Sequence, residues 1–222
     1  MNMSYLPELL KGLTTTLELT VASLLGGLIL ALLFTIILTL KIKPLIWLVK
    51  LQILLFTGTP LLVQIFLIYY GPAQFDFIKN SAIWPILSQP WFCAVLALAL
   101  NSAAYSTQLF KGAIDAVPKS DHEACMALGM TQQQAFFRVI LPHAMRRVLP
   151  AYGNEIILVM KGTSLASTIT LMDLMGYAAR LNNQTYDTLT VFTMAGIIYL
   201  MMTGILTLLI RLLEHKVLEF SR

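Results

Sequence analysis

Charge is scarce in this chain. Asp, Glu, Lys and Arg make up 12% of its 222 residues, about half the share of an average soluble protein. Apolar and aromatic side chains make up 58%, more than a soluble core needs. Cysteine is almost absent: Cys93 and Cys125 are the two present, and their separation supports neither a disulfide framework nor a cysteine metal cluster. The three histidines, His122, His143 and His215, show no ligand spacing and are expected in solvent or among lipid headgroups. There is no H-E-x-x-H pair for a membrane-embedded metalloenzyme. There is also no G-x4-G-K-[ST] phosphate loop, so the chain is not expected to hydrolyse ATP itself. An ion channel would need a filter loop or a ring of charge, and Gly58-Thr59-Pro60 is too isolated to make one. No low-complexity linker or fixed-period repeat divides residues 1–222, which are expected to form a single transmembrane domain.

What is abundant is uncharged sequence. Residues 19–40, 51–75, 81–110 and 188–210 each lack any ionisable Asp, Glu, Lys or Arg. Each exceeds the roughly 20 residues that an α-helix needs to cross the hydrocarbon. The first run is too long for a signal-peptide h-region and has no basic n-region before it. An all-α integral membrane fold follows, with five transmembrane helices expected. They lie near residues 14–40, 45–70 and 91–110, from about 148 onward, and near 188–213. The fourth is atypical. Residues 148–179 contain Glu155, Lys161 and Asp173, and Gly162-Thr163-Ser164 marks a break, so one crossing followed by a short interfacial segment is expected.

The basic residues orient these spans. With an outside N-terminus, the inner segments hold Lys41, Lys43 and Lys50; Lys111, Lys119, Arg138, Arg146 and Arg147; and Arg211, Lys216 and Arg222. The outer segments hold Lys11, Lys79 and Arg180, and Lys161 lies within the membrane. This positive-inside bias places the C-terminus in the cytoplasm and accounts for the net charge of +4 without invoking nucleic acid. Trp84 and Trp91 flank the outer loop and Trp47 sits near the inner face, as interfacial aromatics do.

The polar middle, about 111–147, specifies its own structure. After Val117-Pro118, Ser120 and Glu123 have the spacing of a capping box, and so do Thr131 and Gln134. Asp121 places negative charge at a helix start. Gly129 suits the left-handed residue that stops a helix, and Pro142 is expected to break or kink the second helix. Ala124, Ala127 and Leu128 give the first helix a slim apolar face. Such a face suits docking into a partner's groove; resting on the membrane surface explains it equally well.

Glu123-Ala124-Cys125, Gly129 and Val139-Ile140-Leu141-Pro142 resemble the E-A-A-x3-G-x9-I-x-L-P loop of ABC importer permeases. Cys125 and Val139 replace the family's Ala and Ile. Gly58-Thr59-Pro60-Leu61-Leu62-Val63-Gln64, Tyr69-Tyr70-Gly71, Asn101 through Leu109, Asn154-Glu155 and Lys161 through Ala166 are similar to the polar amino-acid branch of that family. Many relatives have Glu in place of Gln108 and Arg in place of Thr57. The resemblance implies the type I ABC importer permease fold in a bacterial inner membrane. It further implies a second permease subunit, paralogue or copy, two ATPase subunits that bind the ATP, and a periplasmic amino-acid-binding protein. Glu123, Ala124, Cys125, Leu128 and Gly129 would then form the helix that couples to the ATPase.

Ionisable residues inside a membrane are functional candidates, because burying one costs about 2.5–3.5 kcal/mol on insertion scales. Glu155 is the first candidate here. Its carboxylate suits a guanidinium, which can pair through two parallel hydrogen bonds, or an ammonium group; this fits a basic amino acid such as arginine, with another polar amino acid such as histidine, glutamine or lysine as the alternative substrate. The alternative is a structural ion pair. Lys161 lies about 120° around an ideal helix from Glu155; it either holds a substrate carboxylate or braces the Gly162 break. Gln64, Asn101, Ser102 and Thr59 either line the substrate path or hydrogen-bond between helices. Gly26, Gly27 and Ala22 are expected to permit close helix contact. Asp173 is expected to face the binding protein.

Overall fold

The computed structural model describes residues 5–219; Arg222, counted above among the inner basic residues, lies outside them. The described chain is helical throughout, without a strand. Helix α1 spans Leu6–Thr39 and opens with proline in its first turn, where a missing N–H costs nothing. At 1.5 Å per residue its 34 residues are about 51 Å long, enough to cross a bilayer core at a tilt. Gly12, Thr16, Ser23, Gly27, Ala31 and Thr35 lie along one buried face. Leu17, Val21, Leu25, Ile29, Leu32 and Ile36 stand exposed on the other. Small residues inward and large apolar residues outward is the order expected where the surroundings are lipid. The threonines satisfy their hydroxyls locally: Thr16 donates to the Gly12 carbonyl at 3.0 Å and Thr35 to that of Ala31 at 2.7 Å.

Helices α2 (Lys43–Gly58) and α3 (Leu61–Tyr70) follow. They occupy the region expected as one span, but meet at 112° across the break at Thr59-Pro60. Two short helices, α4 (Asp76–Lys79) and α5 (Trp84–Leu87), lead to α6 (Pro90–Asp115), which packs most extensively against α1. Ala94, Ala97, Ser102 and Ala103 of α6 are buried. At Gly27 an added Cβ would lie 3.1 Å from the Ala99 carbonyl oxygen and 3.1 Å from the Ser102 Cβ. Gly26 and Gly27 therefore do permit the close approach of α1 and α6.

The polar middle forms α7 (Lys119–Ala127) and α8 (Gln132–Ala135). A wide π-turn over Phe136–Ile140 then leads straight into α9 (Leu141–Gly162). Two expectations are corrected here. Pro118, in extended conformation, is the N-cap of α7, two residues before the Ser120 that the box requires, and no side chain caps that helix. Pro142 does not break the second helix. It sits in the first turn of α9, where the wide turn before it, with Leu141 N–H bonded to the Phe136 carbonyl, removes the need for its missing donor.

Past Gly162 the chain tightens into a 3₁₀ turn over Thr163–Ile169 and resumes as α10 (Leu174–Thr185); the helix type changes at the expected 162–164, but the 47° bend falls later, between Ile169 and Leu174. Helix α11 (Thr188–Glu219) closes the described chain. Helices α1, α6 and α11 are each long and apolar enough to cross a membrane, and the two bent pairs raise the number to five if each is one span.

Asp173 departs from expectation. It is fully buried. Its Oδ1 accepts from the Gly176 N–H at 2.9 Å, capping α10, and its Oδ2 accepts from the Tyr199 hydroxyl at 3.3 Å. The Leu174 N–H donates to Thr16 Oγ1 at 3.1 Å. Gly12 lies so close that an added Cβ would come within 2.5 Å of the Asp173 carbonyl carbon. The enclosed carboxylate ties α10 to α11, and the backbone beside it meets α1, so Asp173 does not present itself to another protein.

Candidate functional site

The lever of the polar middle is built from capped ends. Gly129 has φ +74°, a left-handed value open to residues without a Cβ. The Gly129 N–H bonds the Met126 carbonyl at 3.0 Å, and the Met130 N–H bonds that of Cys125 at 3.1 Å. This is a Schellman close to α7. Thr131 and Gln134 then make the reciprocal capping box in full.

Helix α7 is exposed except at the half-buried Asp121 and the buried Cys125. Glu123, Ala124, Ala127, Leu128 and Gly129 are exposed, with Leu128 at 77%. Cys125 is 4% exposed and packs with Val117, Ala135, Ile140 and Ala144. Of the five residues assigned to ATPase coupling, four are presented outward. Cys125 holds the lever from behind, because one residue in a helix turns about 100° from the next. Met126 and Phe137 add exposed apolar surface.

One polar contact joins α9 to α6 and another joins it to α7. Arg147 Nη1 of α9 donates to the Ala116 carbonyl at the end of α6, 2.7 Å. His143 Nδ1 of α9 lies 3.4 Å from Asp121 Oδ2 of α7. Helix α7 is thus joined to α9, and α9 to the end of α6.

Those helices carry the membrane carboxylate. Glu155 of α9 is 5% exposed, and Ser102 of α6 lies beside it. Among the described residues, no Lys, Arg or His forms an ion pair with Glu155. Lys161, at the end of the same helix, is exposed. The structure thus brings Glu155 and Ser102 together and keeps Lys161 apart. Glu155 points between α9 and α6, while Asn154, Leu158 and Lys161 occupy the exposed face of α9.

Gln64 and Asn101 lie elsewhere and do something specific. In a regular helix the Phe56 carbonyl would accept from residue 60, but Pro60 has no N–H. Gln64 Nε2 donates to that carbonyl at 2.9 Å and Asn101 Nδ2 at 3.1 Å. Gln64 Nε2 also lies 2.9 Å from the Thr59 carbonyl and from Thr59 Oγ1. The two side chains supply the donors that the break between α2 and α3 removes. Sequence reasoning placed both residues in the membrane but not at this carbonyl; the signal was Pro60 itself, four residues after Phe56. It also missed Gly12 and Tyr199 around Asp173, although Asp173 with Gly176 three residues on is an N-cap pattern.

An all-helical membrane subunit with a fastened, outward-facing lever is the architecture of an importer permease. The family model for binding-protein-dependent transport system inner membrane components matches residues 32–219, and the chain belongs to that family. It is 56% identical over 222 residues, covering 100% of this chain and 97% of the relative, to the arginine ABC transporter permease protein ArtM of Haemophilus influenzae. It is 59% identical over 219 residues, 98% of each chain, to ArtM of Escherichia coli. Among solved structures, the crystal structure of an amino acid ABC transporter with histidines matches with a TM-score of 0.86. Its identity is 34%, covering 96% of both chains. The chain is thus an inner-membrane transport subunit of the ABC importer class and not an enzyme. Its fold is that of the type I importer permeases. Membership implies ATPase partners and a substrate-binding protein.

Proposed function

We propose that this chain is one of two permease subunits in an ATP-driven importer of arginine. The names of its most similar relatives support that substrate. The observation that carries it is Glu155: a buried carboxylate with no ion-paired cation among the described residues. Such a group is costly unless something positive arrives, and the guanidinium of arginine supplies two donors in a matching fork. Ser102 orients the carboxylate from α6. A ligand reaching Glu155 enters between α6 and α9.

A second permease subunit covers what this chain leaves open. Tyr105 and Gln108 of α6 and Asn154 and Lys161 of α9 are exposed within segments expected to span the membrane. Hydrocarbon leaves such groups unsatisfied, whereas a partner subunit or a wet path between subunits does not. Lys161 on that face suits the substrate's α-carboxylate.

ATP binds two separate subunits, each seated on the Glu123–Ala124–Leu128 face of a permease. Closure of the ATPases moves α7, and through Arg147 and His143 it moves α6 and α9, the helices that hold Ser102 and Glu155. Access to the carboxylate changes with that movement. The distribution of basic residues supports a periplasmic N-terminus and a cytoplasmic C-terminus and lever.

The test is uptake by vesicles containing the permease pair, its ATPase and its binding protein, challenged with a panel of amino acids. Arginine uptake that requires ATP is expected. Preference for a neutral or acidic amino acid would overturn the substrate assignment, and conduction without ATP would overturn the class.

A further inference from the structure

Between α3 and α6 lies a segment, 71–89, whose three short helical turns contain no buried residue. Its side chains are nevertheless largely apolar. Phe75 is 52% exposed, Phe77 74%, Ile83 59% and Ile86 48%. The Phe75 and Phe77 rings lean on each other with centroids 5.6 Å apart. The segment's ionisable side chains, Asp76 and Lys79, pair at 3.4 Å, so it carries no net charge. Its entry is Tyr69 and Tyr70, packed edge to face at 4.8 Å; its exit is Pro90-Trp91 at the start of α6.

We propose that segment 71–89 lies in the bilayer interface, with Phe75, Phe77, Ile83 and Ile86 seated among lipid headgroups and upper acyl chains. Both of its ends belong to membrane helices, which holds it at the bilayer boundary. Aromatic residues concentrate there because the ring prefers the acyl boundary to water, and short apolar elements lie in that plane with their apolar side down. A soluble binding protein fits the same surface less well. It comes and goes during a transport cycle, and each departure would return these exposed apolar side chains to water. Lipid covers them throughout. The self-paired Asp76 and Lys79 also leave no net charge to steer a polar partner.

The experiment places one fluorophore on the segment. Phe77→Trp is made in a chain carrying Trp47→Phe, Trp84→Phe and Trp91→Phe, and the complete transporter is reconstituted in vesicles. Some vesicles contain phosphatidylcholine brominated near the headgroup, others phosphatidylcholine brominated near the chain end. Stronger quenching by the shallow bromolipid than by the deep one, with little quenching by aqueous iodide, is expected both with and without the binding protein. Strong iodide quenching without bromolipid quenching would overturn the proposal in favour of a hydrated loop. Protection from iodide that appears only on adding the binding protein would assign the surface to that protein. Insensitivity to all quenchers would assign it to a subunit contact.

Discussion

Asn101 Nδ2 donates to the side-chain oxygen of Gln64 across 2.9 Å, joining α6 to the start of α3. The same Asn101 amide group reaches the Phe56 carbonyl at 3.1 Å, so one pair of side chains holds both limbs of the bend to a third helix.

Removing that pair should loosen the bend without touching the lever. Gln64→Leu leaves the Phe56 and Thr59 carbonyls short of donors, a loss of about 1–3 kcal/mol for buried groups. A lower melting temperature of the purified complex and slower uptake are expected, with Asn101→Leu causing a similar fall. Unchanged melting for both would show that the bend is held by packing alone.

The lever offers a contrast within one helix. Leu128→Asp charges the exposed face and should separate ATP hydrolysis from uptake while the permease keeps its membrane fold. Cys125→Asp puts a charge behind the helix among Val117, Ala135 and Ile140, so the subunit itself should be made poorly. Paired measurements of ATPase rate, uptake and membrane yield distinguish the two. Wild-type coupling in Leu128→Asp would remove α7 from the docking surface.

Glu155→Gln keeps the shape and removes the charge. Loss of a charge-assisted pair is worth about 1.5–3 kcal/mol, or roughly ten- to hundredfold in affinity for a guanidinium. Uptake of arginine should fall by far more than uptake of any neutral amino acid the transporter accepts. Equal falls for both would give Glu155 a structural role.

Glycine substitutions report where backbones touch. Gly12→Ala puts a methyl group against the Asp173 carbonyl and should lower the yield of folded subunit. Gly196→Ala, with open space around it, should be silent. Gly129→Ala imposes a left-handed strain of about 1–2 kcal/mol, felt as weaker coupling before loss of fold.

The parts of this structure legible in sequence are those decided locally. Uncharged runs announced α1, α6 and α11, and Gly129 and the Thr131–Gln134 box announced the turn between α7 and α8. Burial was not legible where it depends on distant partners. Asp173 resembles a surface residue until Gly12, Thr16 and Tyr199 close around it. Residues 45–70 read as one span because apolar character continues through Thr59-Pro60, and the donors that stabilise the bend include Asn101, far along the chain. The Ser120 box failed for a smaller reason: Pro118 already takes the N-cap position. Lys161 was correctly separated from Glu155 by helical geometry alone, whereas the company of Ser102 required the packing of α6 on α9.

Burial of both Cys93 and Cys125 has a consequence for chemistry at the surface. Maleimides and other thiol reagents meet no accessible native sulfur on the folded subunit, so a single cysteine introduced at position 128 would be labelled against a silent background. The same shelter keeps both sulfurs from mixed disulfides while the subunit stays folded, and turns their sudden reactivity into a reporter of unfolding.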